Sequence, residues 1–186
     1  MEILGATLIE LVAGFGYLMG HLLLSRKQIS GWIVKILGGI AWIIFLFQNQ
    51  NFIFMAVTVV IVLSMLYGFY KWNQGNYDKR TNVDKFFEIL AAVVAIFMIS
   101  RFILSGVYAA GPIFETVIVI AEILGTILLA HKIIFGWYSY IIMSLLAGVL
   151  VIFINSNPAV LLGILELSSI FFYYKGIKNF SNKKFI

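Results

Sequence analysis

Long apolar runs separated by short polar breaks dominate the chain. Seven runs occupy about 4–25, 29–47, 52–71, 86–106, 113–131, 133–154 and 158–175. Each has roughly the 17–25 residues that a helix needs to cross the hydrocarbon core of a bilayer. The runs are continuous rather than alternating, and lone strands cannot satisfy their backbone in lipid, so helices are expected and strands are not. The breaks read SRKQ, QNQN, NQGNYDKRTNVD, SGVYAAGP, HK and INSNP. The pattern predicts an all-α polytopic membrane protein with seven transmembrane helices.

Composition supports the same class. Of 186 residues, 62% are hydrophobic and 11% charged, and the mean hydropathy is +1.04. About half of a soluble chain is apolar, so lipid must solvate much of this one. The first residues, MEILGATLIELVAG, lack a basic leader and a cleavage site, and read as a mature span. The formal charge of +5 raises the question of nucleic acid. Its placement in short clusters between the runs gives it an orienting role instead, with no nucleic-acid partner. Arg26 and Lys27 lie in the first break. Lys71, Lys79, Arg80 and Lys85 lie in or beside the third, Lys132 in the fifth, and Lys175, Lys178, Lys183 and Lys184 close the chain. The second, fourth and sixth breaks hold no lysine or arginine. The excess of basic residues in cytoplasmic loops then places the N-terminus outside the cell membrane and the C-terminus in the cytoplasm.

The chain also repeats itself. Laying Gly31-Trp32 on Gly136-Trp137 fixes an offset of 105 residues, at which Glu10 meets Glu115, Gly20 meets Gly125, and Lys27 meets Lys132. After one inserted residue QNQN meets INSNP, and Tyr70-Lys71 corresponds to Tyr174-Lys175 near the ends of the third and seventh runs. Two three-helix repeats joined by a fourth helix are expected: residues 1–72, a loop and linking helix over 73–112, and 113–186 with a basic tail. An even number of crossings separates the first and fifth spans, which makes the repeats parallel.

The 3+1+3 arrangement is shared by the sugar-transporting SWEETs and by the PnuC family of vitamin-precursor transporters. The local motifs resemble PnuC: Glu115, then GTILLAHK, then Trp137-Tyr-Ser-Tyr140, together with YGFYKW at 67–72. Tyr140 stands where that family has a second tryptophan, and Ser144 where it has asparagine. Both departures fall on the face that the resemblance assigns to substrate, and so bear on substrate identity. The resemblance implies facilitated diffusion of a nucleoside-like vitamin precursor, nicotinamide riboside first, trapped by a cytoplasmic kinase that phosphorylates it. Thiamine and riboflavin are the cargo of relatives.

Candidate site residues follow from depth and face. Trp137, Tyr140 and Ser144 are spaced i, i+3, i+7 and share one helix face. Aromatic rings there would stack on a flat heterocycle, with a cation–π gain for a pyridinium. The competing reading puts Trp137 in the interfacial aromatic belt. Glu122 and Glu166 lie midway along the fifth and seventh runs, where a charge costs about 2.5–3.5 kcal/mol and so faces a cavity or a partner. Trp42 lies near the midplane as a candidate aromatic wall. Arg101 is the available partner for Glu115 or Glu10. Lys35, the repeat counterpart of Tyr140, is expected to snorkel.

Catalysis finds no support. There is no cysteine for a thiolate or disulfide, no nucleophile elbow and no phosphate-binding glycine loop. His21 and His131 lack the spacing of a metal site. A non-enzyme without cofactor or metal is expected, its partners being the bilayer and a small-molecule substrate, with homo-oligomerisation left open. The alternatives are a sugar or other vitamin transporter of the same fold and a non-transporting membrane subunit or scaffold. Buried acids argue against a scaffold, which gains little from them.

The orientation is testable directly. Single cysteines at Asn49, Lys79 and Asn157 are expected to react with an impermeant thiol reagent from outside, inside and outside respectively. Any other alternation overturns it.

Overall fold

In the computed structural model, described for residues 2–3, 6–75, 80–104, 110–154 and 160–181, seven helices carry nearly the whole chain. They are α1 (Leu8–Ser25), α2 (Ser30–Gln48), α3 (Phe52–Gln74), α4 (Asn82–Leu104), α5 (Ala110–Ala130), α6 (Phe135–Val149) and α7 (Val160–Ser181). All seven are long and apolar enough to cross a membrane, α6 when counted through Phe153. An antiparallel pairing of Glu2–Ile3 with Ala6–Thr7 precedes α1, a strand pair that the hydrophobic pattern does not predict. It lies ahead of the first span, where its unpaired edges need not face hydrocarbon. Lys79, most of SGVYAAGP, the NSNP stretch, Lys183 and Lys184 lie outside the described residues.

Helix ends follow their capping chemistry. Asn51 caps α3 by accepting a hydrogen bond from the Phe54 amide at 3.4 Å, and Gly75, at φ 67°, closes its other end. α4 begins four residues before the expected 86 because Thr81 and Asp84 form a reciprocal capping box. α7 runs past the expected 175 to Ser181, its last turns held by Phe180 packing against Trp72 and Trp137. α6 widens into a π-helical stretch at Leu150–Ile154. The turns after α1 and α5 are built alike. Lys27 and Lys132 both adopt positive φ, 60° and 56°. Gln28 bonds back to Leu23 and Ile133 to Leu128 by the same 6→1 backbone link.

Six helices pack as a closed ring in the order α1, α2, α3, α5, α6, α7 and back to α1. α4 lies outside the ring, mainly against α5, and buries only Asp84, Ala91, Val94 and Met98. Exchanging α1–α3 for α5–α7 maps every neighbour pair of the ring onto another. Local environments correspond too. Trp32 lies over Gly68 and meets Trp72 edge-on at 5.7 Å; Trp137 lies over Gly176 and meets Phe180 edge-on at 5.6 Å. This matches Gly68 to Gly176 and Trp72 to Phe180, an offset of 108 in the third and seventh helices. The Tyr-Lys correspondence at 104 read from the sequence differs from this by one helical turn. Only glycine admits the indole ring, and that fixes the register more firmly than an aromatic at the interface.

The tightest contact joins α1 to α2. A Cβ at Gly16 would lie 2.8 Å from Gly38 Cα, and one at Gly31 would lie 2.7 Å from the Leu24 amide nitrogen. Gly16 and Gly20 form a small-xxx-small stripe, the device that lets helices approach in lipid, where water supplies no hydrophobic drive between them. Gly31→Ala is accordingly expected to lower the melting temperature in detergent, by the roughly 1–3 kcal/mol typical of overpacking. Gly111→Ala, where a Cβ meets nothing within 4 Å, is expected to leave it unchanged or slightly raised. Equal responses to the two would refute the close-packing account.

Candidate functional site

A cavity of about 870 Å³ opens at the Asn49/Asn51 end of the ring and descends to about mid-helix. Its rim carries Asn49, Asn51, Glu10 and Glu115, its walls include Trp42, Phe45, Phe54 and Thr58, and its floor carries Tyr17, Glu122, Met143 and Glu166. Trp42 stacks on Phe45 at 5.0 Å, so the wall presents a paired aromatic surface. Four carboxylates line the cavity, and no lysine or arginine is among its described lining residues. Arg101 of α4 stands behind the rim, 2.9 Å from Glu115 and 4.8 Å from the Phe54 ring. Of the two partners weighed for it, Glu115 is the one paired here.

Below the floor the interior is closed by hydrogen-bonded polar groups and rings. Ser144 donates to Glu166 at 2.8 Å and is 3.1 Å from the Tyr173 hydroxyl, which is 3.0 Å from His21 Nδ1. On the opposite side Lys35 Nζ donates to the Tyr140 hydroxyl at 2.8 Å, and that hydroxyl is 2.8 Å from Thr126 Oγ1. Tyr140 and Tyr173 stack at 5.5 Å, with His21 4.8 Å from each ring. Trp137, Trp72, Phe180 and Trp32 continue the ring cluster toward the basic end. This stack of rings and polar groups is buried throughout, with Trp32, Trp137, Tyr140, Tyr173, Lys35 and His21 at most 1% exposed.

The six residues singled out from the sequence thus divide. Trp42, Glu122 and Glu166 line the cavity. Ser144 and Tyr140 are fully buried beneath it, the first bonded to a lining carboxylate and the second to Lys35. Trp137 is also fully buried, wedged over Gly176 among rings, and belongs neither to the cavity lining nor to an interfacial belt. Lys35 does not snorkel: it is fully buried and turned inward. The signal that marks it is positional. Gly31, Lys35 and Gly38 share a stripe at i, i+4, i+7, and the two glycines pack against α1, which puts Lys35 on the helix-contact face. Tyr17 does not stand out as a site residue in the sequence, though at the 105-residue offset it is the counterpart of Glu122; Thr126 shares a stripe with Glu115 and Glu122 at i, i+7, i+11 and is the counterpart of His21.

A second buried polar group lies at the basic end. Asp84 of α4 receives Lys71 Nζ at 2.9 Å and the Tyr67 hydroxyl, which is itself 2.8 Å from His131 Nε2. This cluster ties α4 to α3 and to the end of α5, well away from the cavity floor. It is anchorage for the outlying helix.

The geometry is that of a binding vestibule: an entrance, aromatic walls, a few polar groups at the bottom and a sealed far side. None of it resembles a catalytic constellation, and no group of His, Asp and Glu among the described residues is arranged to hold a metal ion. Comparison with curated proteins and with solved structures gives no match. The family model described as nicotinamide mononucleotide transporter matches residues 7–177. The chain therefore belongs to that family, the PnuC family, and is a multi-pass membrane transporter of nicotinamide-related compounds.

Proposed function

We propose that the solute is the cationic, unphosphorylated member of the nicotinamide compounds, nicotinamide riboside, and that it crosses by facilitated diffusion. The observation that carries this reading is the acidic lining of the cavity. Glu10, Glu115, Glu122 and Glu166 line it, Glu115 paired with Arg101 behind the rim, and no lysine or arginine is among its described lining residues. A pyridinium riboside brings one positive charge, a flat ring for Trp42 and Tyr17, and hydroxyls for the floor carboxylates. A phosphate monoester brings nearly two negative charges and meets no lysine or arginine there. Trp42, Glu122 and Glu166 are the direct contacts in this reading; Ser144 and Tyr140 hold the floor, and Trp137 supports it from below.

The orientation read from the basic loops makes the cavity outward-facing. Entry of a monocation is then assisted by an inside-negative membrane potential, worth about 2.3 kcal/mol per charge per 100 mV. Phosphorylation by a cytoplasmic kinase would turn the cargo into a species that the acidic cavity rejects. Transport becomes one-way without an ion gradient. A sugar lacks both the charge and the flat ring that this cavity is shaped to hold, and so ranks below the riboside.

The test is calorimetric titration of purified protein with nicotinamide riboside and with its 5′-phosphate. The riboside is expected to bind and the phosphate not to. Glu122→Gln and Glu166→Gln are each expected to weaken riboside binding roughly tenfold or more, the scale of about 1–3 kcal/mol for losing a buried charged partner. Lys184→Ala, in the tail, is expected to change nothing. Phosphate ester binding as tight as riboside binding would overturn the reading.

A further inference from the structure

The buried lysine beneath the cavity invites a role of its own. Lys35 is 0% exposed, and its stem crosses Gly20 so closely that a Cβ there would lie 2.3 Å from Lys35 Cγ. The chain has therefore been cleared of side chain at Gly20 to let an ammonium group reach the interior. Burying an ammonium is expensive, and a methionine of similar volume would fill the space without that cost. Its Nζ donates to Tyr140, lies 4.2 Å from the centre of that ring, and is 5.5 Å from the ring of Tyr17, which lines the cavity floor. No carboxylate among the described residues lies within ion-pair distance of it. Glu122 and Glu166 line the same floor as Tyr17, and the Tyr140 hydroxyl that Lys35 bonds is also 2.8 Å from Thr126, one turn from Glu122.

We infer that Lys35 is a specificity-determining residue: a fixed internal cation that leaves the two floor carboxylates with one uncompensated negative charge, matched to a solute carrying one positive charge. This rests on the riboside reading and deepens it. With two carboxylates and no lysine the floor would hold a monocation too firmly for a carrier that must release it, and would welcome divalent species. With the lysine, two acidic groups face one ammonium, and a single cationic ring completes the balance. The ammonium stands on the far side of Tyr17 and Tyr140 from the cavity, so it tunes the field without taking the solute's place. It is a positioning group for charge rather than a contact.

The consequence is a selective one. Removing the ammonium should strengthen binding of a cationic solute and leave an uncharged solute of the same shape almost unaffected, because only the former feels the field. The probes are nicotinamide riboside and its reduced, uncharged dihydropyridine form, titrated calorimetrically at pH 7 against wild type, Lys35→Met, Lys35→Arg and Tyr140→Phe. Lys35→Met is expected to raise the preference for the cation over the neutral compound roughly tenfold. Lys35→Arg is expected to keep the wild-type preference, and Tyr140→Phe, which frees the ammonium without removing it, to shift it less than Lys35→Met. A structural role alone would change both affinities together. If the riboside binds wild type and the preference is unmoved in Lys35→Met, the inference fails while the riboside reading stands. Should Lys35→Met not fold, Lys35→Gln takes its place with the same expected and overturning outcomes. Absence of riboside binding to wild type would sink both.

Discussion

A charge held inside a membrane-spanning bundle must be bonded, and the partners must come from the protein because lipid offers none. Lys35 and the floor carboxylates impose this requirement on the centre of the ring, and much of the surrounding structure answers it. Lys35 reaches from α2 to Tyr140 on α6, helices that are not ring neighbours. Glu166 of α7 is met by Ser144 of α6, whose neighbour Tyr173 passes the network on to His21 of α1. Four helices are thus tied together beneath one cavity. The seal on the far side and the polarity of the floor are two faces of one hydrogen-bonded layer.

The same layer explains the division between what the sequence disclosed and what it hid. Seven spans were legible because 17–25 apolar residues in a row have few other uses. Mid-span carboxylates were legible because an acid in hydrocarbon demands a reason. Trp42, Glu122 and Glu166 could therefore be picked out one by one, and the cavity gathers all three. Residues whose importance lies in partnership were harder. Lys35 reads as a snorkelling lysine until the glycines beside it are seen to pack on α1. Trp137 reads as a substrate-stacking ring or an interfacial anchor until Gly176, on the next helix, proves to be the slot beneath it. Pairings across the ring are properties of the closed ring, and no local pattern contains them.

Helix ends show the same limit at smaller scale. α4 starts early because Thr81 and Asp84 cap each other, and Asp84 is at once a cap, the partner of Lys71 and the acceptor for Tyr67. A polar stretch before an apolar run gives only the neighbourhood of a helix start. The residue that satisfies the first amides decides the boundary.

The distribution of glycines has a mechanical consequence. Gly16, Gly20, Gly31 and Gly38 lock α1 to α2; Gly39 and Gly68 receive Val62 and Trp32 between α2 and α3. Gly125 and Gly136 do the same for α5 and α6, and Gly148 and Gly176 receive Leu167 and Trp137 between α6 and α7. The two remaining seams, α7 with α1 and α3 with α5, hold fewer such glycine contacts among the described residues: on the first, Gly14 receives Leu162 and Leu165 beside Leu11. Backbone seated in a glycine notch cannot slide without opening a void, whereas leucine on leucine can change rotamers and shear. The ring is therefore stiffer within each set of three helices than along its two opposite joints. Both joints are bonded toward the basic end: Trp72 Nε1 donates to the Leu129 carbonyl at 3.0 Å and Tyr67 meets His131 on one, while Asn179 Nδ2 donates to the Ser25 carbonyl at 2.8 Å and Tyr173 meets His21 on the other. A bundle so divided behaves like two shells latched toward one end, free to part there only when those latches let go.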